Sequence, residues 1–593
     1  MALFMTNLEI AQLLMQVAAA FVIKDERKFH FQIVAYQRAA DSIANMSTQV
    51  ADLVRENKLA EVPGLGASLQ QHLTDLVTKG KVDHFESVMK DVPPAMFPLL
   101  LIPSFGPKKS YKLVTIFHLE NPATVIADVE KIAQDGKIAT LEGFGEKSQS
   151  DILRAIDEYR AGAGKTTRML LPYATEIAEK MVSYLKECPE VIDAQPLGSL
   201  RRKSPTVGDV DIAVATKNPQ VVLDHFVAYP YKERVIEKGP ATSSLLTSGG
   251  HQVDLMTQPA EAWGSLLQHF TGSKHHNVHL RDYALKHGMS LSEYGIKHLH
   301  TNSEEREKFT SEGKFYQAIG LDWIPPELRE DKGEIEAAAK HQLPRLVETT
   351  DIKGDLHIHS NYPIEPSHDL GLNSMQEMLT HAKELGYEYL GFSEHNPSVS
   401  KHTSAQALAI LQKRADKIEQ LKESNKDIRV INLLETDILA SGELAIDNKS
   451  LETLDATLVS IHSSFSLNTK DMTKRVLAGL SHPKAKILSH PTGRLLNERG
   501  GYQLEWDTIF DFCAKQNKAL EINAWPERTD LPDSLIFEAK KYGVRFVIDT
   551  DSHATMHMDA MRYGVWNARR GWAEKDDILN TLDYNGFIKW LQS

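Results

Sequence analysis

The stretch GSLRRKSPTVGDVDIAVA, residues 198–215, places two aspartates one residue apart at the head of an apolar, β-branched run. The run predicts a β-strand, and side chains alternate faces along a strand, so Asp209 and Asp211 are expected to point the same way. Two carboxylates held side by side repel each other, which disfavours a purely structural role unless a cation lies between them. The spacing therefore predicts a metal site at the start of this strand.

A third carboxylate completes the pattern expected for a pair of metal ions at a catalytic site. Asp254 lies in HQVDLMT, a second strand-like stretch, and a neighbouring strand can bring it beside the first two aspartates. Carboxylate oxygens suit two Mg²⁺ or Mn²⁺ ions, which position and neutralise phosphate groups during phosphoryl transfer. The residues expected to contact a nucleoside triphosphate are Gly198, Ser199, Arg202 and Gly208. The motif marks nucleotidyltransferases broadly, including poly(A)- and tRNA-end-adding enzymes, and a solvated strand end is the alternative.

The composition is that of a large globular protein without an overall basic surface. The chain has 593 residues, 42% of them hydrophobic and 25% charged, and a net charge of −13. At roughly 100–200 residues per domain, about three to five domains are expected, and any contact with nucleic acid must be local. The cysteines, Cys188 and Cys513, predict no disulfide framework and suit a reducing cytosol. The apolar N-terminus is interrupted by polar residues and predicts an amphipathic helix, so no membrane association is expected.

Three similar glycine turns occur in the N-terminal part of the chain. They are VPGLGASL (62–69), IPSFGPKK (102–109) and LEGFGEKS (141–148). Each follows an apolar stretch, opens another predicted helix and looks like a helix–hairpin–helix motif, whose backbone N–H groups bind a DNA phosphate without regard to sequence. One such turn alone also joins helices in many other proteins. The glycines expected to take part in DNA binding are Gly64, Gly66, Gly106, Gly143 and Gly145.

From Gly354 onward the pattern becomes repeated strand–helix units. The predicted strands, each ending in polar residues, indicate a closed or nearly closed α/β barrel, whose reactive groups lie at the carboxyl ends of its strands. Histidines and acids occupy successive strand ends, and they are His357, His359, His395, Glu435, His462, His490, Asp551 and His553. Imidazole and carboxylate without cysteine suit Zn²⁺, Mn²⁺ or Fe²⁺ at a catalytic site.

The segment HFTGSKHHNVHLRDYALKHGMSLSEYG, residues 269–295, resembles the nucleotide-binding segment of family X DNA polymerases, the polymerase β group. The positions that match the family's nucleotide contacts are Phe270, Gly272, Asn277 and Arg281. By resemblance, the phenylalanine packs on the nucleotide sugar, the asparagine contacts the incoming base and the arginine contacts the template minor groove. His269 stands where the family usually has tyrosine, so discrimination against ribonucleotides does not carry over from the resemblance.

In this family the first hairpin belongs to a small N-terminal domain that holds the 5′ phosphate of a gap. In polymerase β that domain also removes a deoxyribose phosphate, through a lysine in the helix after the hairpin. Here this helix reads SLQQHLTDLVTKG, and His72 occupies the matching position. An amine able to form a Schiff base is missing there, so we expect little or no lyase activity.

The histidines of the second half follow the order of the PHP (polymerase and histidinol phosphatase) domain and resemble its metal ligands. The family is a seven-stranded barrel that binds up to three metal ions and hydrolyses phosphate esters. By resemblance, Glu435 bridges metal ions. The family's first HxH is usually followed by a short loop with a metal-binding aspartate, whereas here the loop NYPIEPSHDLGLNS is longer. Asp369 is the expected ligand, with His368 and Glu365 as alternatives.

Two further side chains beside these histidines are singled out. Glu394 stands where the PHP family usually has aspartate, and it is expected to orient His395 from the outer shell. Arg494, just after SHPTG, meets either a substrate phosphate or only solvent.

Nearly the full chain is thus similar to bacterial family X DNA polymerases with a C-terminal PHP domain. The implied fold class is multidomain α/β, with a helical helix–hairpin–helix N-terminal part, an α+β palm and thumb of nucleotidyltransferase type, and a distorted seven-stranded α/β barrel. The expected domains are 1–85 (DNA-end binding), 86–168 (second helical DNA-binding domain), 169–260 (palm), 261–328 (nucleotide-selecting thumb), 329–352 (linker) and 353–593 (PHP phosphoesterase).

The resemblance implies DNA-directed filling of short gaps in DNA repair, as in base excision repair, on gapped or primed double-stranded DNA with deoxynucleoside triphosphates. It implies two Mg²⁺ or Mn²⁺ ions at the polymerase site. The PHP domain is expected to supply 3′–5′ exonuclease activity, or 3′-phosphatase or abasic-site cleavage, with up to three Mn²⁺ or Zn²⁺ ions. A monomer in the bacterial cytoplasm, close to the nucleoid, is expected. The alternatives are a template-independent or RNA-directed nucleotidyltransferase with a non-catalytic PHP domain, and a DNA-binding scaffold whose catalytic centres have decayed.

Overall fold

The computed structural model describes residues 5, 7–44, 50–55, 58–62, 65–102, 105–162, 168–248, 250–300 and 305–593. Gly64, one of the glycines expected to bind DNA, lies outside these residues. The chain divides into two compact units. The first comprises residues 1–169, 173–195 and 208–257, and the second comprises residues 170–172, 196–207 and 258–593.

Short helices build the N-terminal part of the first unit. They are α1 (Asn7–Asp25), α2 (His30–Ala44), α3 (Val50–Arg55), α4 (Ala67–Lys79), α5 (Asp83–Met89), α6 (Met96–Leu99), α7 (Pro107–Ile116), α8 (Val125–Gln134) and α9 (Glu146–Gly162). Their apolar faces share one hydrophobic core, which contains Leu14, Phe85, Leu113 and Ile156. This core joins the two helical stretches that the sequence analysis separates at residue 85.

Residues 169–258 contain a five-stranded sheet with β4 and β7 as neighbours. The elements are β1 (Met169–Leu170), α10 (Leu171–Lys186), β2 (Val191–Pro196), α11 (Gly198–Arg201), β3 (Thr206–Val207), β4 (Val210–Thr216), α12 (Pro219–Val227), β5 (Lys232–Lys238), β6 (Thr242–Thr247) and β7 (Gln252–Gln258). The strand order is β2-β4-β7-β6-β5. The antiparallel pair β5 and β6 is absent from the sequence prediction, because six of the seven β5 residues are exposed and leave no apolar alternation.

The thumb lies in the second unit and has a core of its own. Its elements are α13 (Trp263–Thr271), α14 (Lys274–Lys286), β8 (Met289–Ser292), β9 (Gly295–His298), α15 (Glu312–Ala318) and α16 (Glu334–Ala339). Residues 329–352, predicted as a linker, pack instead against both neighbours: Ile335, Ala338 and Leu346 join the thumb core, and Val347 and Ile352 join the barrel core. Arg329 is fully buried and forms an ion pair with Glu312. The high charge of the segment suggested solvent exposure, and many of its charged side chains are indeed exposed, but Arg329 and Glu334 are buried and paired.

Eight strands form the C-terminal barrel where seven were predicted. They are β10 (Gly354–Ile358), β11 (Tyr389–Phe392), β12 (Arg429–Asn432), β13 (Glu435–Asp437), β14 (Thr457–Ser460), β15 (Ala485–Leu488), β16 (Ala519–Asn523) and β17 (Arg545–Asp549). The additional strand arises because residues 428–438 form two strands instead of one: β12 pairs with β11, while β13 pairs with β14. A parallel bridge between Ile358 and Ser552 closes the ring. The multidomain α/β fold class is confirmed.

Helices connect the strands of this parallel barrel and cover its outside, as βαβ units require. They are α17 (Met375–Glu384), α18 (Ser404–Ser424), α19 (Asn448–Leu451), α20 (Thr469–Leu480), α21 (Trp506–Lys515), α22 (Asp533–Lys541), α23 (Met561–Arg570) and α24 (Tyr584–Gln592). Cys188 and Cys513 are both buried free thiols. Among the described residues, none of the helices is long and apolar enough to cross a bilayer.

The barrel contains a buried ion pair whose disruption has a predictable cost. Arg414 on α18 and Glu394 are 0% and 2% exposed, and Arg414 also donates to the side chain of Asn432. We expect Arg414→Met to lower the free energy of unfolding by about 3–5 kcal/mol, because it leaves a buried carboxylate without its partner. Denaturant unfolding of the full chain measures this loss.

Lys422→Met on the same helix is the matched control for this prediction. Its partner, Glu419, is 66% exposed, so the control change is expected within about 0.5 kcal/mol of the wild type. Equal unfolding curves for the two variants would contradict a stabilising role for the buried pair.

Candidate active sites

The three aspartates predicted from the sequence converge in the first unit. Asp211 lies on β4, Asp209 immediately precedes that strand, and Asp254 lies on the neighbouring β7. One carboxylate oxygen of each lies within 4.8 Å of one of the other two. Asp209 is exposed and the other two are half-buried, so the cluster is open to solvent on one side.

This acidic cluster has the electrostatics of a cation site. Burial, together with the charges of Asp209 and Asp254, raises the pKa of Asp211 to about 7. Gln252, a neutral amide two residues before Asp254 on β7, donates to both of its carboxylate oxygens at 2.9 and 3.0 Å. Oxygen ligands in this arrangement fit Mg²⁺ or Mn²⁺, which would relieve the repulsion between them. Sequence reasoning missed Gln252, although strand alternation places it on the same face as Asp254.

The Gly-Ser turn of the second unit holds two adjacent arginines in different ways. Gly198 has φ of +58°, a left-handed conformation that favours glycine, and it starts the short helix α11. Arg202 donates from Nε to Glu330 at 2.9 Å and from Nη1 to the carbonyl of Thr271 at 2.7 Å. Arg201 instead forms an ion pair with buried Glu312 at 2.6 Å. Arg202 is therefore the arginine of this pair that lies at the turn, and Arg201 supports the thumb core.

The thumb residues expected to select the nucleotide follow this turn. Phe270 is 37% exposed at the end of α13, and Gly272 has φ of +70°. Asn277 and Arg281 lie four residues apart on α14, a spacing that places them on one face of the helix. The side chain of Asn277 is held by Gln268 at 2.9 Å and by the carbonyl of His269 at 2.7 Å. The structure thus presents Phe270 and Arg281 to solvent and fixes the orientation of Asn277.

The histidines and acids predicted for the barrel meet at the carboxyl ends of its strands. Groups of three side chains with ligand atoms within 4.8 Å of one another are His359, His395 and His553; His357, His359 and Asp551; His395, Glu435 and His462; and His368, Asp437 and His462. Glu435 is at their centre, with histidine nitrogens of five residues within 3.6 Å of its carboxylate. His490 is one of these five, at 2.8 Å.

The three candidate ligands in the long loop after the first two histidines contact different side chains. Asp369 contacts Nε2 of His395 at 3.2 Å and Nε2 of His553 at 3.4 Å, beside the cluster. His368 contacts Asp437 at 3.3 Å, and Glu365 contacts His402 at 3.1 Å. Asp369 and His368 therefore both reach the cluster, His368 as a member of one of the groups above, while Glu365 contacts a histidine outside it.

Unpaired polar atoms in the barrel show that these side chains fit metal ions. Among the described residues, the buried atoms without a hydrogen-bond partner include Nε2 of His357, both ring nitrogens of His359, Nδ1 of His395, Oε2 of Glu435, Nδ1 of His490 and Nε2 of His553. An unsatisfied buried polar group costs about 1–3 kcal/mol, and metal coordination would satisfy these groups. Imidazole with carboxylate suits Zn²⁺, Mn²⁺ or Fe²⁺.

The charges of the cluster are balanced within it. Burial alone would raise the pKa of Glu435, but His395, His462 and His357 together hold it well below the usual range. Asp551 behaves in the same way, because His357, His359 and Arg528 outweigh its burial and keep its pKa low. Both acids are therefore ionised, as metal ligands must be.

An outer layer of side chains orients the ligands, and sequence reasoning missed it. Glu521, on β16, accepts from Nδ1 of His357 at 2.6 Å, and Asp437 contacts Nδ1 of His462 at 2.7 Å. Arg528 reaches Asp551 at 3.2 Å. Such carboxylate–histidine contacts fix the ring orientation and leave the other nitrogen for a metal ion. Glu521 lies in the middle of β16, and an acid within an otherwise apolar strand was the available signal.

One expectation about a neighbouring side chain is wrong. Glu394 does not orient His395; its carboxylate accepts from Ser360 and Arg414. Arg494 is half-buried and donates from Nε and Nη2 to the backbone carbonyls of Arg528 and Thr529, and a contact of its remaining N–H groups with a phosphate or solvent stays a prediction.

The three glycine turns of the first unit share one geometry. Gly66, Gly106 and Gly145 each immediately precede a helix, namely α4, α7 and α9. Their carbonyls accept the first helical hydrogen bond from residues 70, 110 and 149 at 3.0 Å each. Gly143 has φ of +80°, so the third turn requires glycine there. The repeated geometry is what a set of helix–hairpin–helix motifs needs.

Comparisons with known proteins agree with this architecture. The chain matches three families, the helix-hairpin-helix domain at residues 5–82, the DNA polymerase beta thumb at residues 266–330 and the PHP domain at residues 355–524. It is 32% identical to "DNA polymerase/3'-5' exonuclease PolX" of Bacillus subtilis (strain 168) over 98% of this chain and 99% of that protein.

More distant similarities are found for parts of the chain. "DNA polymerase lambda" of Arabidopsis thaliana is 22% identical over 52% of this chain and 58% of its own length. A "Probable phosphatase" of Syntrophotalea carbinolica is 21% identical over 30% of this chain and 68% of its own. A crystal structure of Leishmania infantum polymerase beta in a ternary P/T complex covers 40% of this chain and 99% of that chain, at 20% identity and a TM-score of 0.26.

Fold and sites together define a polymerase β-type nucleotidyltransferase joined to a PHP-type metal-dependent phosphoesterase. Both halves carry side chains suited to divalent metal ions. The chain belongs to the bacterial family X DNA polymerases with a C-terminal PHP domain, as the near full-length relative shows. The family expected from the sequence, with its character as a DNA-binding enzyme, is thus confirmed.

The repulsion within the acidic cluster leads to a prediction for Asp211→Asn. In the presence of a chelator, we expect the variant to melt at the same temperature as the wild type or higher, because one of three mutually repelling carboxylates is neutralised. Added Mg²⁺ is expected to raise the melting temperature of the wild type and not of the variant. Thermal unfolding with EDTA and with Mg²⁺ measures both effects.

Asp224→Asn is the matched control for the palm. Asp224 is 54% exposed and forms an ion pair with Lys238 away from the cluster, so its replacement should leave the response to Mg²⁺ at the wild-type value. A variant Asp211→Asn that melts well below the wild type in EDTA would show that Asp211 serves folding rather than cation binding.

Proposed function

We propose that this chain is a DNA-directed DNA polymerase of family X that fills short gaps during DNA repair, and that its PHP domain is a metal-dependent 3′–5′ exonuclease. The observation that carries the proposal is the presence of two complete ligand sets in one chain. The acidic cluster lies in the first unit, and the histidine cluster lies in the second.

At the polymerase site, the chain's residues position the reactants and the charges. Asp209, Asp211 and Asp254 are proposed to hold two Mg²⁺ or Mn²⁺ ions, which when bound neutralise phosphate charge and activate the primer 3′-OH. Ser199 and Arg202 are proposed to donate hydrogen bonds to the triphosphate, with Gly198 and Gly208 allowing its close approach. Phosphoryl transfer depends mainly on such positioning, so this set of residues is sufficient for the reaction class.

The thumb residues are proposed to select the nucleotide. Phe270 packs on the sugar, Asn277 contacts the base and Arg281 reaches the template minor groove, with Gly272 in the turn between them. The buried contacts of Asn277 described above support a fixed orientation for this selection. The template-independent or RNA-directed alternative is not favoured, because residues 266–330 match the DNA polymerase beta thumb and the N-terminal residues 5–82 match a helix-hairpin-helix domain.

At the PHP site, the ligands proposed to bind up to three Mn²⁺ or Zn²⁺ ions are His357, His359, Asp369, His395, Glu435, His462, His490, Asp551 and His553. When bound, these ions supply a nucleophile and a Lewis acid for phosphodiester hydrolysis. Arg528, beside Asp551, adds positive charge near the place where a phosphate would lie. The similarity to a phosphatase suggests that 3′-phosphates are a second class of substrate.

The partners follow from these two activities. We propose gapped or primed double-stranded DNA and deoxynucleoside triphosphates as the substrates. The glycine turns with Gly66, Gly106, Gly143 and Gly145 are proposed to hold the DNA backbone through their N–H groups. A monomer acting on DNA in the bacterial cytoplasm, at the nucleoid, fits these partners. The domain limits given in the sequence analysis stay predictions.

One gapped-DNA assay with two variants tests the proposal. Asp209→Ala is expected to reduce nucleotide incorporation at least about a thousandfold while 3′–5′ degradation continues, since only the polymerase site loses a ligand. His357→Ala is expected to do the reverse. Extension and shortening of one labelled primer report both activities in the same reaction.

If each variant abolished both activities, the assignment of separate sites would be wrong. Primer extension without a template is the companion measurement, and incorporation that does not depend on the template would favour the other class of nucleotidyltransferase. Asp224→Asn again serves as the control, because it removes a carboxylate that lies outside both sites.

The N-terminal helices lead to a further prediction about lyase chemistry. His72, at the position of the polymerase β lysine, stacks on His84 with ring centroids 4.9 Å apart, and its Nδ1 contacts the hydroxyl of Tyr36 at 3.2 Å. Burial lowers its pKa. Because an imidazole does not form the Schiff base, borohydride should trap little or no covalent adduct with a 5′-deoxyribose phosphate end.

The nearby lysines are the controls for this trapping experiment. Lys79 is paired with Asp75 at 2.9 Å and Lys81 with Asp83 at 3.2 Å. Efficient trapping that disappears on Lys79→Ala or Lys81→Ala would contradict the prediction.

A further inference from the structure

One helix of the PHP barrel, α23, contacts both the thumb and the Gly-Ser turn within the second unit. Its last two residues are arginines that reach different acids. Arg569 donates to Glu327 at 2.8 Å and to Glu348 at 2.6 Å. Arg570 donates to Glu330 at 2.9 Å and to the backbone carbonyl of Arg202 at 2.7 Å.

Glu330 is shared between the PHP domain and the triphosphate turn. Its Oε1 accepts from Nε of Arg202 and from Nη1 of Arg570, each at 2.9 Å. Arg570 is only 6% exposed, and its Nη2 donates to Asp533 at 3.1 Å. Glu330 therefore forms ion pairs with two arginines, Arg570 in the barrel and Arg202 at the turn.

A second contact joins the same turn to the same helix. Nζ of Lys203 lies 3.9 Å from the ring centroid of Trp566 on α23, a distance at which a cation is attracted to an aromatic face. Two consecutive residues of the turn, Arg202 and Lys203, thus contact one helix of the PHP barrel.

We propose that Arg570 is a positioning residue for nucleotide incorporation, which places part of the support for the triphosphate turn in the PHP domain. This proposal rests on the proposed polymerase function. Arg570 binds the same carboxylate oxygen of Glu330 as Arg202 does, so the charge of Glu330 is divided between two guanidinium groups. Arg570 also donates to the backbone carbonyl of Arg202, and this contact holds the turn and orients the Arg202 guanidinium. Among the described residues, Arg202 uses two of its five N–H donors, which leaves donors for a phosphate.

Loss of Arg570 should weaken triphosphate binding more than the chemical step. Without it, Glu330 is left with Arg202 as its partner and draws the guanidinium away from a phosphate, while the turn loses a backbone tether. Because a misplaced guanidinium loses a charge-assisted hydrogen bond to the triphosphate, we expect Arg570→Gln to raise the KM for deoxynucleoside triphosphates roughly tenfold. We expect kcat to change less than KM, and 3′–5′ degradation of single-stranded DNA to remain at the wild-type rate.

Arg569→Gln is the matched control, because it removes an arginine from the same helix end and the same interface without touching Arg202 or Glu330. We expect it to change the KM by less than about twofold. Steady-state incorporation into one gapped DNA, with the full-length chain, compares the variants. Arg570→Lys keeps the charge but not the two-pronged contact, and an intermediate KM is expected.

A double-mutant cycle separates positioning from general loosening of the interface. The KM effects of Arg570→Gln and Glu330→Gln should be non-additive, whereas those of Arg569→Gln and Glu330→Gln should add. Equal KM values for Arg570→Gln and Arg569→Gln would overturn the inference. If Arg570→Gln fails to fold, a wild-type KM for Arg570→Lys has the same consequence. A wild-type chain that incorporates no nucleotide would instead refute the proposed function.

Discussion

Both candidate sites depend on one constraint, namely that ligand atoms with like charge or without a protein partner are held close together. In the barrel, a fully buried carboxylate, Glu435, is surrounded by five histidines, and several ring nitrogens around it have no protein partner among the described residues. In the sheet of the first unit, three carboxylates converge and repel one another. Each arrangement costs stability in the absence of a cation, and neither helps the surrounding core to pack.

The two sites meet this constraint with different chemistry. The barrel cluster combines imidazole with carboxylate and is held by outer acids such as Glu521 and Asp437, which fix ring orientations before any ion arrives. The acidic cluster has oxygen ligands only, and the contact identified at Asp254 comes from a neutral amide. Buried imidazole nitrogen ligands suit a transition metal, whereas open oxygen ligands suit an exchangeable Mg²⁺ that arrives with a nucleotide.

Residue patterns predicted the ligands that lie on regular strands. Strand alternation and the order of strand ends located the acidic cluster and the barrel histidines. The loop after His359 has no such period, so its ligand was left open among three residues, and only tertiary contacts show that Asp369 and His368 reach the cluster while Glu365 does not. Glu394 shows the opposite case, because its neighbour His395 is a ligand while Glu394 itself pairs with Arg414 across a buried surface.

Adjacent residues of one type show most clearly where local sequence stops being informative. Arg201 is the last residue of α11, and Arg202 directly follows it. Successive positions on a helix differ by about 100° in direction. Arg201 therefore enters the thumb core and meets Glu312, while Arg202 meets Glu330 at the turn. The acids that make this distinction lie more than a hundred residues further along the chain, since both pairs are separated by at least 111 positions.

Residues 329–352, predicted as a linker, show the same limit of local sequence information. The high charge of this segment predicted a solvent-exposed spacer. In the structure, Arg329 and Glu334 are fully buried and paired with residues of the thumb, and Glu330 and Lys332 contact the barrel. Buried ionic contacts add little net stability compared with apolar packing, but each charge is satisfied in only one arrangement. Arg569 and Arg570 of the barrel pair with Glu327, Glu348 and Glu330. The proposal that a barrel helix positions the nucleotide-binding turn depends on these contacts holding the thumb and the barrel in one register.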